Sequence, residues 1–123
     1  MTRSVRSVGL SGEIDSACAK DFDALLRSLD GADTVVLDFS RVTFFDSSAI
    51  SCLIRLRKRM LDGGGKGTIR IARPTQTVRQ LMELTNLDRV FVLDPPGADD
   101  APETPERVHH FGSGPMTDDA PDV

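Results

Sequence analysis

The chain has 123 residues, 39% hydrophobic and 28% charged, with a net charge of −4; these values suit one small domain that buries a core without disulfide staples. No run of about eighteen apolar residues occurs, so no membrane-spanning helix is expected, and Met1-Thr2-Arg3-Ser4-Val5-Arg6 lacks the apolar block of a signal peptide, which makes a cytoplasmic location the expectation. Charge is uneven: residues 95–123 hold seven acids against one base, Arg107, and carry −6, so residues 1–94 carry +2, with no basic stripe and interleaved aromatics to suggest nucleic-acid binding.

In chain order, Ser4 to Leu10 reads as a short strand, and Ser11-Gly12-Glu13-Ile14-Asp15 as the punctuation after it. Asp15 or Ser16 can cap the helix that follows, since either side chain can accept from a free first-turn N–H. Phe22, Leu25, Leu26 and Leu29 then recur at helical spacing, and Asp30-Gly31 ends the helix. Thr34 to Phe39 is a continuous apolar run that fits a strand buried on both faces, and Val42-Thr43-Phe44-Phe45 extends it. Ala49 to Asp62 predicts a second helix with Ile50, Leu53, Ile54 and Leu61 on one face, Leu56 and Met60 beside them, and Gly63-Gly64-Gly65 as its left-handed stop. Thr68 to Ala72 is a strand. Thr75 can cap a third helix with Val78, Leu81 and Met82 inward, Asn86 suits a left-handed exit, and Val90 to Leu93 is a last strand. Strands alternating with helices predict an α/β fold with a mostly parallel sheet of about four strands.

Residues 95–123 contain six of the seven prolines, many acids and few large apolar groups. Such a segment buries too little surface to offset its ordering entropy, so a disordered acidic tail after a domain of residues 1–94 is expected. His109-His110 falls inside it and reads as a solvated pair rather than a metal site. Cys18 and Cys52 are too few and too far apart for a disulfide framework or a zinc site and read as partly buried hydrophobes.

Enzymatic motifs are missing. Gly63-Gly64-Gly65-Lys66-Gly67 follows a helix and precedes a strand, the reverse of a phosphate loop. Residues 1–94 hold no histidine, which excludes a Ser-His-acid triad there. Asp15, Asp38 and Asp46 could converge on one end of the sheet and take a divalent ion, but Asp15 and Asp46 are better explained as helix caps. No cofactor or metal is expected. What remains is Asp46-Ser47-Ser48 between an apolar strand and an amphipathic helix. A helix start offers free N–H donors and the positive end of the helix dipole. A phosphate on Ser47 would be tolerated there and would add roughly −2 charge beside Asp46.

Taken together, Gly12-Glu13-Ile14-Asp15, Val35-Val36-Leu37-Asp38, Phe44-Phe45-Asp46-Ser47-Ser48-Ala49-Ile50, the glycine run at 63–65 and Leu84-Thr85-Asn86-Leu87-Asp88-Arg89-Val90-Phe91 resemble the STAS domain of bacterial anti-sigma factor antagonists, over about residues 5–94. The resemblance implies the STAS fold and a partner-switching role rather than catalysis. An unphosphorylated antagonist binds an anti-sigma factor, itself a serine kinase of the histidine-kinase-like ATPase fold, and frees the sigma factor. The kinase phosphorylates the serine after the motif aspartate, which maps to Ser47, and a phosphatase of the PP2C type restores it. Asp15, Asp46, Ser47, Ser48, Ala49 and Ile50 map to the partner-binding surface.

Two departures accompany the resemblance. The family usually has glycine where this chain has Ala49, a stronger helix former. Family members also usually carry a strand before the one at Ser4 to Leu10, and this chain begins too late to supply it. Either the start site is set late or an edge strand is missing, and a missing strand would leave a sheet edge open to self-association, as in a homodimer. STAS-like domains also serve membrane transport complexes, including ABC-type lipid transporters, and a separate subunit of that kind is the alternative reading.

Overall fold

The computed structural model describes residues 4–94 and 106–112. Five strands, β1 (Val5–Ile14), β2 (Thr34–Phe45), β3 (Thr68–Ala72), β4 (Val92–Leu93) and β5 (Val108–Phe111), form one sheet in the order β4-β3-β2-β1-β5. Every pairing is parallel. Helices α1 (Ala19–Arg27), α2 (Ser47–Asp62) and α3 (Gln76–Leu84) make the connections, with a short 3-10 turn at Leu87–Arg89 before β4.

Strand β2 is central, and Val35 to Phe39 are all buried, as a continuous apolar run requires. Val8, Leu10, Val35, Leu37, Ile69 and Ile71 join one core cluster with Phe22 and Leu26 of α1, Leu53 and Leu56 of α2, and Val78 and Met82 of α3. The alternate positions Ser7, Val36 and Asp38 stay outside that cluster although buried. The helices therefore cover one face of the sheet, following the two-residue alternation of a strand.

Strand β1 is longer than its composition suggests. Ser11-Gly12-Glu13-Ile14 does not end it but stays paired with β2. The partner jumps from Asp38 to Arg41 between Gly9 and Ser11, and from Val42 to Phe44 between Gly12 and Glu13. Two extra residues in β2 absorb these bulges, and Gly12 passes through at φ 91°, a conformation that suits glycine.

Most helix boundaries follow their local signals. Gly64 takes φ 93°, its N–H donates to Leu61 O at 3.0 Å, and Gly65 N–H donates to Met60 O at 2.9 Å. These two bonds satisfy carbonyls that the end of α2 would otherwise leave free. Val78 N–H donates to Thr75 Oγ1 at 3.4 Å, and Asn86 adopts φ 61°. At α1 the expected cap differs. The N-cap is Cys18, whose side chain caps no first-turn N–H, while Asp15 Oδ1 accepts from Ala17 N–H in the preceding turn.

The buried face of α2 is rotated from the expected one. Ala49, Ile50, Cys52, Leu53, Leu56 and Met60 are buried, whereas Ile54 and Leu61 stand 47% and 43% exposed. The cause is α1, which packs on α2 and draws Cys52 inward, with Cys52 Sγ 3.5 Å from Ala19 O.

The largest correction concerns the acidic tail. Within it, Val108–Phe111 is ordered as β5, paired with Gly9 to Gly12 of β1. It therefore raises the strand count from the expected four to five, extends the fold beyond residue 94, and covers the β1 edge that the sequence leaves open. Net composition misses this because a few anchors suffice. Phe111 is 8% exposed and meets Phe22 edge-on, with ring centroids 5.5 Å apart. The backbone polar groups of the segment find partners on the β1 edge. Residues 95–105 and 113–123, where the rest of the expected disordered tail falls, lie outside the described residues.

Candidate functional site

Strands β1 and β2 run parallel and finish together, with Ile14 opposite Phe45. The turns that follow them therefore share one lip of the sheet, and Asp46 N–H fastens them by donating to Ile14 O at 3.3 Å. Asp46 is extended (φ −122°, ψ −174°) and is the N-cap of α2. Its Oδ1 accepts from Ser48 N–H at 3.0 Å and Ala49 N–H at 3.3 Å. One carboxylate thus serves two of the free donors at the helix start.

Ser47 is the first helical residue and is exposed, while Ser48 is half-buried. Ser51 Oγ donates to Ser47 O at 3.1 Å, and the Ser47 hydroxyl has no partner among the described residues. Ala49 and Ile50, expected on the partner-binding surface, are buried at 0% and 6% exposure. They hold the turn against the core instead of facing outward. Alanine fits where the resembled family has glycine, because position 49 is an ordinary first-turn position packed inside.

Asp15 sits half-buried in the neighbouring turn, where its backbone O accepts from Cys18 N–H at 3.1 Å. Its side chain borders a cleft of about 350 Å³ that Cys18, Asp21, His110 and Phe111 also line. Burial pushes the thiols of both Cys18 and Cys52 up, so neither is an activated nucleophile.

Asp38 does not join Asp15 and Asp46. It pairs with Arg73 and accepts from Ser40 N–H at 2.9 Å. Burial pulls the Asp38 carboxyl up, but the bonds from Arg73 and Ser40 outweigh it and hold the group below the usual carboxylate range. Among the described residues no group of three or more His, Cys, Asp or Glu side chains can hold a metal ion.

His109 and His110 are strand residues of β5 rather than a solvated loop pair. His110 Nδ1 lies 3.1 Å from Ser11 Oγ, and no carboxylate bonds to His110 among the described residues. A serine and a histidine are thus brought together without the acid that completes a triad.

Sequence reasoning missed two parts of this lip. Phe44, at the end of β2, is 46% exposed beside the Asp46 turn. The tandem Phe44-Phe45 carried that signal, since neighbours in a strand face opposite ways. The other part is the wall made by His110 and Phe111, which only a pairing about a hundred residues distant in sequence puts there.

Residues 1–94 match the profile of the family described as "Mlab, STAS domain". A STAS-domain containing protein of Pseudomonas aeruginosa (strain UCBPP-PA14) is 29% identical over 88 residues, which are 71% of this chain and 85% of that protein. Among solved structures, the anti-sigma factor antagonist SpoIIAA in its unphosphorylated form superposes with a TM-score of 0.63 at 20% identity, over 78% of this chain and 84% of that one. The STAS domain of the SulP transporter from Vibrio cholerae superposes with a TM-score of 0.53 at 20% identity, over 73% and 70% of the two chains. Both solved structures resemble this chain in fold. Among the described residues no helix is long and apolar enough to cross a membrane.

Proposed function

The chain belongs to the STAS-domain family, and from that premise we propose that it is an anti-sigma factor antagonist switched by phosphorylation of Ser47. The observation that carries this reading is the exposed Ser47 at the first position of α2, directly after the Asp46 cap. A kinase can reach that hydroxyl without unfolding the domain. The phosphate would sit at the positive end of a sixteen-residue helix and leave the fold intact. It would add about −2 charge at a lip that already carries Asp46 and Asp15. A partner docking there would have to desolvate that charge.

In this reading the unphosphorylated lip, with Asp15, Asp46, Ser47, Ser48 and the exposed Phe44, binds an anti-sigma factor serine kinase and releases the sigma factor. Phosphorylation ends the binding and a PP2C-type phosphatase restores it. The work takes place in the cytoplasm. The test is incubation with the kinase and ATP, followed by site-mapped mass spectrometry. Label is expected on Ser47 and absent from Ser47→Ala; equal labelling of both proteins rejects the assignment. By calorimetry, Ser47→Ala keeps the kinase bound and Ser47→Glu weakens it, and one affinity for all forms rejects the switch.

A second reading, a STAS subunit of a membrane transport complex such as an ABC-type lipid transporter, is favoured by the likeness to the SulP transporter domain. It predicts that a pull-down recovers permease components and no kinase, and that Ser47→Glu leaves that assembly intact.

A further inference from the structure

Strand β5 is seated by features matched on both sides. Glu106 N–H donates to Ser7 O at 2.7 Å, and Gly9 N–H donates to Arg107 O at 2.7 Å. The Arg6 guanidinium forks onto Glu106 at 2.7 and 2.8 Å. The ring of Phe111 meets Phe22 at an interplanar angle of 84°.

Two glycines of β1 keep the approach open. A Cβ at Gly9 would stand 2.9 Å from Val108 Cγ2, and one at Gly12 would stand 2.1 Å from Phe111 O. The edge is therefore cut to admit a parallel strand with an acid at its start and an aromatic ring near its end. Main-chain bonds supply its adhesion and the two anchors its selectivity, as in strand-addition recognition.

The seat does not distinguish its own strand from an identical one. Strands β4 and β5 lie on opposite edges of the sheet, about 19 Å apart at four strand spacings. The eleven residues 95–105 join them and reach at most about 36–40 Å. The connection is thus long enough for the seat of the same chain and does not bind the strand to it.

We propose that the β1 edge is a strand-acceptor site whose partner in trans is residues 106–112 of a second copy of this chain, the two copies exchanging β5. Closed monomer and exchanged dimer hold the same seat contacts, so the balance is set by concentration. A tethered strand competes at an effective concentration on the order of millimolar, and exchange becomes visible as the protein approaches it.

The experiment uses the full chain and a fluorescent peptide spanning residues 105–113. Phe111→Asp, checked for folding by circular dichroism, vacates its own seat and is expected to bind the peptide at least about tenfold more tightly than wild type, whose tethered strand competes. A peptide with aspartate in place of the phenylalanine is expected not to bind. In sedimentation from about 10 µM to about 1 mM, wild type is expected to gain dimer and Phe111→Asp to stay monomeric. Glu106→Arg perturbs only an exposed pair, so it folds even where Phe111→Asp does not. Alone it is expected to dimerise as wild type does, because closed and exchanged forms share the mismatched pair; mixed with Arg6→Glu, each chain's strand matches the other chain's seat, and heterodimer is expected to form several-fold more readily than either homodimer. A folded Phe111→Asp that ignores the peptide overturns the proposal. So does a wild type monomeric throughout, a dimer indifferent to Phe111→Asp, or a mixture of Glu106→Arg and Arg6→Glu that pairs no better than either protein alone.

Discussion

Replacing Asp46 by alanine removes the acceptor for Ser48 N–H and Ala49 N–H at the start of α2. Those donors are half-buried or buried with their residues, so water replaces the lost carboxylate only in part. Loss of an N-cap side chain costs about 1 kcal/mol, and up to about 2 where two donors are orphaned. The bond from Asp46 N–H to Ile14 O is a backbone bond and survives the change. For a domain of this size each kcal/mol is worth about 4 °C, so a fall of about 4–8 °C in melting temperature is expected. Asp46→Asn keeps an oxygen acceptor and should stay within about 0.5 kcal/mol of wild type. Ser47→Ala removes a hydroxyl that bonds nothing among the described residues and should shift the melt by less than about 2 °C. Thermal and urea unfolding followed by circular dichroism measure all three. If Asp46→Ala melted with wild type, or Asp46→Asn fell as far as Asp46→Ala, the capping argument would fail.

Three further outcomes are expected. Gly12→Ala forces a side chain to φ 91° with its Cβ against Phe111 O. It should cost about 1–3 kcal/mol and strip hydrogen-exchange protection from the Gly9 amide; an unchanged Gly9 amide would refute the close approach. Burial, helped by nearby Arg107, holds His109 below its ordinary 6.5, so its contribution to stability is full above that pH and is lost as pH falls toward the folded value. His109→Gln should flatten the stability profile below about pH 6.5, and an unaltered slope would show that His109 is not its source. Asp38 is held below its ordinary 3.8, so its stabilisation stands above that pH and is lost as pH falls through the lower folded value. Arg73→Met should reduce stability at pH 7 and shrink the acid-induced loss below about pH 4, as acid titration of both proteins will read.

Local signals proved sufficient where a single turn decides the geometry. Asp46 and Thr75 cap their helices because their own oxygens reach their own first-turn amides. Gly64 and Asn86 exit left-handed because little else tolerates that backbone. The exposed Ser47 follows from its place after such a cap. By contrast, the periodicity of α2 told that it had a buried stripe, but the packing of α1 chose the stripe through Ala49, Cys52 and Leu56 over the one through Ile54 and Leu61.

The sequence by itself determined the helices, the caps of α2 and α3, the central strands and the motif that resembles the STAS family, since each depends on residues a few positions apart. Only the tertiary structure decided what closes the sheet at β1. Its strand comes from an acidic, proline-rich segment whose composition argues against order, and its anchors, Arg6 to Glu106 and Phe22 to Phe111, are joined across most of the chain. A few well-placed contacts on a preformed edge outweigh an average over twenty-nine residues, and no local pattern records which distant edge is vacant.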